Sequence, residues 1–334
     1  MKAARKWSAQ APSNIALIKY MGKTGTGPNR PTNSSLSYTL THLKSLVELE
    51  VRPSGDDAWE PLLADPEGRT LPPVELSEKG RERFLAHLKR IKAEYGFEGS
   101  FVVRSANDFP SDCGLASSAS SFAALTMAAL KAVCELTGRD LPSAEAAAEL
   151  SRKGSGSSCR SFFAPWAFWS TDGGVRAVEE IKVRDLLHQV IAVDDRKKLV
   201  SSSEAHTRVA SSLLFEGRPE RAERRAKALI DALGTKFDWR EAFEITWAEF
   251  WDMHALFETS VPSFGYMTAA SREVLDWVRN ALWRKNGDGP IVTMDAGPNI
   301  HLLYRNDPTG REAFLAVEKE FSARFKIFSS GMVR

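Results

Sequence analysis

The chain of 334 residues holds only three cysteines, Cys113, Cys134 and Cys159, and none stands at CxxC spacing. That pattern argues against a disulfide framework or a structural zinc site and fits a reducing compartment, the cytosol. The six histidines, His42, His87, His188, His206, His254 and His301, are scattered without HExxH or similar ligand spacing, so a protein-held transition metal is not expected. An excess of either charge is also missing. A formal net charge of +2 gives no global field toward nucleic acid or an anionic membrane, so any anion binding must be local. No stretch reads as long and apolar enough to span a bilayer. The opening MKAARKWSAQAPSN has basic residues with no apolar core behind them, unlike a secretory signal.

What is present is the composition of an ordinary folded protein, 43% apolar and 26% charged. The length exceeds what one hydrophobic core usually supports, which predicts two lobes with a ligand cleft between them, 1–185 and 186–334. Residues 9–51 read as strand, irregular loop, strand, and 53–71 as turns. EKGRERFLAHLKRIKAEY at 78–95 places Phe84, Leu88 and Ile91 at helical spacing and is closed by Gly96. A strand at 101–104 leads to a long helix over 115–136 that ends at Gly138, and Ser143 caps a second helix running to Lys153. Beyond about 185 come a strand at 190–195, helices at 219–233, 247–257 and 271–283, two further strands, and a final helix and strand. This mixture predicts an α+β fold rather than a doubly wound parallel sheet.

Three short stretches carry the chemistry: NIALIKYMGK at 14–23, PSDCGLASSASS at 110–121 and DAGPN at 295–299. The second is a small-residue loop entering a helix. Unpaired N–H groups and the positive end of the helix dipole there suit phosphate, and Ser117 or Ser118 offers a hydroxyl to phosphate or to Mg²⁺. The spacing is not that of a Walker loop. Lys19 interrupts the apolar run from Ile15 to Ile18, where a cation must snorkel out or meet an anion. Arg160 follows Gly154-Ser155-Gly156-Ser157-Ser158, so backbone N–H groups, hydroxyls and a guanidinium fork converge on one place. RPERAERRAK at 218–227 reads as a solvated helix face rather than a nucleic-acid site. Trp166, Phe168, Trp169, Trp247, Phe250 and Trp251 read as core, and Cys113 and Cys159 as space fillers.

The loop from Pro110 to Ala119 resembles the phosphate loop of the GHMP kinase superfamily. With APSNIALIKYMGK at 11–23, PTNSSLS at 31–37, SRKGSGSSCRS at 151–161 and MDAGPN at 294–299, the set is similar to the diphosphomevalonate decarboxylase family over nearly the whole chain. The resemblance implies a two-lobed α+β GHMP kinase fold, with an N-terminal lobe of the ribosomal-protein type and a ferredoxin-like C-terminal lobe. It implies ATP- and Mg²⁺-dependent decarboxylation of a phosphorylated mevalonate, with no nucleic-acid or membrane partner, and a cytoplasmic homodimer.

By the same resemblance Asp295 is the base, Lys19 and Arg160 complete the catalytic set, and Tyr20, Lys23, Ser155, Gly156, Ser157 and Arg160 hold the substrate. Asn107, Pro110, Gly114, Leu115, Ala116, Ser117, Ser118 and Ala119 bind ATP, with Ser118 reaching the Mg²⁺ that ATP brings. A monophosphate decarboxylase, a mevalonate 3-kinase and a non-catalytic nucleotide-binding protein stay open as alternatives. Departures from the family pattern include Met21, where Trp is usual, and Thr24-Gly25 after Lys23, where Arg-Asp is common; both are expected to alter the pocket rim.

Overall fold

A computed structural model describes residues 5–25, 28–65, 67–109, 117–194 and 198–330. Its spine is an antiparallel ribbon of β1 (Lys6–Ile18) and β2 (Ser35–Arg52), paired from Lys6 opposite Glu50 to Ile18 opposite Leu36 with register shifts between Pro12 and Ser13 and between Ala16 and Ile18. Along the first half of β1, Trp7, Ala9 and Ala11 are buried while Lys6, Ser8 and Gln10 are exposed, the two-residue period of a strand with one wet face. From Ser13 onward every residue of β1 is buried, because the ribbon there runs between two cores.

The far edge of β2 is shared by β4 (Ser100–Asn107), against Ser45–Arg52, and β5 (Trp166–Trp169), against Ser35–Tyr38. β6 (Val175–Ala177) extends β5 antiparallel. β3 (Ala58–Pro61) lies parallel to β4, so the stretch read as turns at 53–71 contains a strand. Its four residues are too few, and its flanks too rich in Gly and Asp, for a period to show.

α1 (Glu78–Tyr95), α2 (Ser117–Thr137) and α3 (Ala144–Gly154) belong with this sheet. Ser77 and Ser143 accept first-turn N–H groups as N-caps, and Gly96 closes α1 at φ 70°, as its position predicts. α2 corrects one expectation, since its 21 residues are long and apolar enough to cross a bilayer. Buried residues instead lie all round it, among them Phe122, Leu125, Ala129 and Val133, in a core with Phe84, Leu88 and Ile91 of α1.

The second sheet has the order β10-β7-β9-β8, all antiparallel, from β7 (Leu186–Ala192), β8 (Ile291–Met294), β9 (Ile300–Arg305) and β10 (Lys326–Ser329). With it come α4 (Ser202–Arg208), α5 (Arg218–Asp231), α6 (Trp239–Glu258), α7 (Ala269–Trp277) and α8 (Pro308–Phe321). α5 and α7 each continue into a wider π-type turn, over Ala232–Lys236 and Val278–Arg284. The core of this half takes in Ile15, Leu17, Ile18, Leu36, Tyr38 and Trp166, so the β1–β2 ribbon belongs to both cores. Of the six aromatics read as core, Trp166, Trp169 and Phe250 are fully buried, whereas Trp251 is 37% exposed because it falls on the outer face of α6.

Candidate active site

Two strands from the two sheets end side by side. Thr293 Oγ1 on β8 donates to the Ala16 carbonyl of β1 at 3.1 Å, and one residue beyond each strand stand Lys19 and Asp295. Lys19 Nζ donates to Asp295 Oδ1 at 2.6 Å across a separation of 276 residues. The Lys19 side chain is 2% exposed and that of Asp295 35% exposed, so the carboxylate has one open side. Burial alone would raise the Asp295 pKa, but Lys19, His301 and Arg160 outweigh it and hold the group below the usual carboxylate range. Burial lowers the Lys19 pKa, with Arg160 adding to the fall, while Asp295 and Glu249 oppose it.

The Gly-Ser stretch runs into a 3₁₀ helix, Gly156–Phe162, which carries Arg160 into the same interior. The guanidinium donates from Nε to Asn14 Oδ1 at 3.1 Å and from Nη1 to Ser35 Oγ at 3.0 Å; Nη2 makes no hydrogen bond among the described residues. Asn14 is fixed in turn by Ser161 Oγ at 2.8 Å, so Arg160 is aimed from both strands of the central ribbon. The Tyr20 ring lies between Trp169, at 4.6 Å between centroids, and His206, at 4.2 Å. Gly156 packs against that ring. His206 Nδ1 accepts from the Gly22 N–H at 3.1 Å, and burial with the nearby Lys23 and Arg160 lowers its pKa to about 3. The imidazole is therefore neutral beside a group of fixed cations.

Lys23 is exposed, with its pKa lowered by partial burial and by Arg83. Ser155 is buried, and its carbonyl accepts from Ser158 Oγ at 2.7 Å; Ser157 is half-buried and accepts at its carbonyl from Asn14 Nδ2 at 3.3 Å.

Of the expected nucleotide residues, Pro110, Gly114, Leu115 and Ala116 lie outside the described residues, as does Cys113. Ser117 and Ser118 open α2, with Ser118 exposed and Ala119 buried. Asn107 uses its side-chain oxygen internally: it accepts from Ser45 Oγ at 2.6 Å, and that hydroxyl pairs with Ser120 Oγ at 2.7 Å. The chain seats the first turn of α2 on the sheet. Cys159 is buried, its thiol pushed up to about 12 by burial, as suits a space filler.

Two expectations fail here. Met21 is 3% exposed in a cluster with Val200, Met253, Phe257 and Tyr266, so its departure from the family pattern repacks a core instead of changing a rim. The 218–227 segment is not simply a solvated face: Arg218 is fully buried, paired to Glu249 and to Asp252, and Arg221 and Arg225 reach Asp252 as well. No local pattern separates Arg218 from its exposed neighbours Arg224 and Lys227, because its burial comes from α6 packing on α5. Asn14, Ser35, His206, Glu249 and His254 were likewise not singled out for the site, and Trp169 was read only as core. Asn14 and Ser35 lay inside motifs already noted; Glu249 and His254 had no signal.

An α+β frame of two sheets that brings a carboxylate, an ammonium and a guanidinium together is that of the GHMP-kinase-like class. Within it, the model of the diphosphomevalonate decarboxylase-like N-terminal domain matches residues 11–177, and that of the mevalonate 5-diphosphate decarboxylase C-terminal domain matches 189–328. The diphosphomevalonate decarboxylase of Saccharomyces cerevisiae is 32% identical over 324 residues, covering 89% of this chain and 77% of the relative. A crystal structure of a mevalonate diphosphate decarboxylase from Legionella pneumophila is 47% identical at a TM-score of 0.89, covering 97% of this chain and all of the other. The enzyme from Enterococcus faecalis superposes at a TM-score of 0.82 with 28% identity, covering 98% of each chain. This chain belongs to the diphosphomevalonate decarboxylase family.

Proposed function

We propose that this protein uses ATP to convert diphosphomevalonate to isopentenyl diphosphate, ADP, phosphate and CO₂, in the mevalonate route to isoprenoids. The observation that carries the proposal is the Lys19–Asp295 pair at 2.6 Å, with Arg160 buried nearby and its Nη2 without a hydrogen bond among the described residues. A structural relative 28% identical to this chain is described in complex with MVAPP, AMPPCP and magnesium, which supports ATP and Mg²⁺ as the co-substrate and metal.

Asp295, held as carboxylate by Lys19, accepts the proton of the substrate's tertiary hydroxyl as that oxygen attacks the γ-phosphorus and ADP leaves. The new phosphate ester then departs with the electrons of its C–O bond, while the pair from the breaking bond to the carboxylate carbon forms the alkene and CO₂ is released. Arg160 holds the substrate carboxylate until that bond breaks, and Lys19 limits charge repulsion between Asp295 and the incoming phosphoryl group. Tyr20, Lys23, Ser155, Gly156 and Ser157 form the wall for the substrate's diphosphate. The nucleotide lies along 110–119, with its phosphates at the start of α2.

Among the described residues no group of three or more His, Cys, Asp or Glu could hold a metal ion. The residues present fit a Mg²⁺ carried by nucleotide phosphates, with the exposed Ser118 hydroxyl as the protein's contribution. Bound there, the ion would neutralise phosphate charge. The division of labour at 185/186, a cytoplasmic location and a homodimer without nucleic-acid or membrane partners complete the reading. Light scattering of the purified protein checks the dimer.

Asp295→Asn tests the core of the proposal. CO₂ and ADP release from mevalonate, its monophosphate and its diphosphate should be highest with the diphosphate in the wild type and absent in the variant, which should still bind nucleotide. Undiminished turnover by the variant removes Asp295 as the base, and preference for another member of the panel reassigns the substrate.

A further inference from the structure

Lys19 and Asp295 both lie just past the ends of their strands, so neither residue has ladder partners for its own peptide groups. One helix supplies a side-chain partner to each. On α6, Glu249 Oε1 accepts the Lys19 N–H at 3.0 Å, and five residues further His254 Nε2 meets the Asp295 carbonyl at 3.2 Å, a carbonyl that also accepts the Gly297 N–H at 2.7 Å. A carbonyl only accepts, so His254 carries its proton on Nε2. Burial and the nearby Lys19 lower the pKa of this imidazole to about 3, which keeps it neutral with that single donor. The Lys19 carbonyl is held as well, by Asn33 Nδ2 at 2.9 Å and Arg218 Nη2 at 3.3 Å.

Glu249 is itself fully buried, which is costly for a carboxylate unless it is paired. Arg218 provides the pairing from α5 with both terminal nitrogens, and Arg225 adds a bond to Oε2 at 2.9 Å. The Glu249 carboxylate therefore has three partners, the Lys19 peptide and two guanidinium groups. It also acts on the Lys19 side chain through space, opposing the fall in its pKa, where the other charged or titratable groups facing Lys19 are Asp295, Arg160 and His254.

We propose that Glu249 and His254 are positioning residues: two anchors on one rigid helix that set the distance and protonation of the Lys19–Asp295 pair, although neither touches substrate. The proposal rests on the reading of Lys19 and Asp295 as the chemical pair. It explains why a buried carboxylate and a buried neutral histidine stand behind two strand ends that come from different sheets. An ångström of slack between such groups is expected to cost about a hundredfold in rate, which is what two-point attachment prevents.

The test compares kcat, KM, pH profile and thermal midpoint in the full-length enzyme. His254→Phe should lower kcat about tenfold or more with KM little changed, and His254→Gln, which restores an amide donor, should recover most of the loss. Glu249→Gln should lower kcat and move the alkaline limb of its pH profile to lower pH, because Lys19 loses a neighbouring anion. The pair Arg218→Met with Glu249→Met removes both charges together, so it should fold yet keep a low kcat.

Wild-type kcat in that double variant, an unmoved alkaline limb in Glu249→Gln, or full activity in His254→Phe would reduce these residues to structural support and overturn the proposal. Asp295→Asn serves as reference. If it is inactive while the helix variants are fully active, only the positioning role falls; if it turns over normally, the catalytic reading falls first and takes this role with it.

Discussion

Arg160 shows what a single residue gains from its surroundings. Its motif placed it in a Gly-Ser stretch, and a guanidinium there had only to be near an anion. In the folded chain Asn14 and Ser35 take two of its nitrogens, and the guanidinium carbon lies over the Trp169 ring, 5.9 Å from its centroid, so the direction of the remaining donor is set before any ligand arrives. Gly156 works by absence. A Cβ there would stand 2.7 Å from the Tyr20 ring, which Trp169 and His206 prevent from giving way. Gly156→Ala should therefore raise KM for the phosphorylated substrate on the order of tenfold and also lower the thermal midpoint, since overpacking of this kind costs about 1–3 kcal/mol. Steady-state kinetics beside a melting curve checks this, and an unchanged KM would mean that Tyr20 does not line the substrate site. These residues were legible because they sat inside motifs, whereas their partners Asn14 and Ser35 were visible only as bystanders in the same motifs.

At the scale of the element, α1 and α3 were readable almost to the residue, because period, N-cap serine and terminating glycine are local features that agree with one another. α5 was misread for the complementary reason. A helix of alternating acids and bases looks the same whether water or another helix meets it, and only the packing of α6 decides that Arg218 is enclosed while Arg224 is wet. The difference has a measurable consequence. Arg218→Met leaves Glu249 buried with only Arg225 and a peptide N–H, and should cost about 3–5 kcal/mol. Arg224→Ala, six residues along the same helix, should stay within about 0.5 kcal/mol. Urea unfolding of both variants separates the two cases, and similar losses would mean that the buried pair contributes no more than a surface charge.

Across the whole molecule, histidines set the response to acid. His42 is lowered to about 4 and His87 to about 3 by burial, His206 and His254 also lie at about 3, and His188 is pushed far down. Their bonding agrees. His87 Nε2 meets Thr126 Oγ1 at 2.9 Å while that hydroxyl donates to the Phe122 carbonyl, so Nε2 is the donor. His188 meets His42 at 3.2 Å through one ring nitrogen and His301 at 3.1 Å through the other, as a neutral central ring that donates once and accepts once does.

A folded pKa below the unfolded value near 6.5 means that the unfolded chain binds more protons as pH falls. Stability should thus be level above pH 7 and decline from about 6.5 toward 4, with each such ring contributing about 1.4 kcal/mol per pH unit. Asp295, whose pKa is likewise lowered, adds its loss as pH falls from the unfolded carboxyl value of about 3.8 toward the lower folded one. Urea titrations at successive pH values should show this slope, and His87→Gln should reduce it by one proton. Equal stability at pH 7 and 5 would show that these rings are not buried neutral.

The order of most elements, their caps and the motifs that carry the proposed reacting residues were written along the chain, since each depends on neighbours a few positions away or on a compact motif. The pairing of Lys19 with Asp295 across 276 residues, the enclosure of Arg218 and the anchoring of both strand ends to α6 were decided by the tertiary structure alone. Periodicity acts at short range and survives in any context, whereas desolvation and hydrogen-bond partnership come into being only when distant segments pack and water is excluded between them.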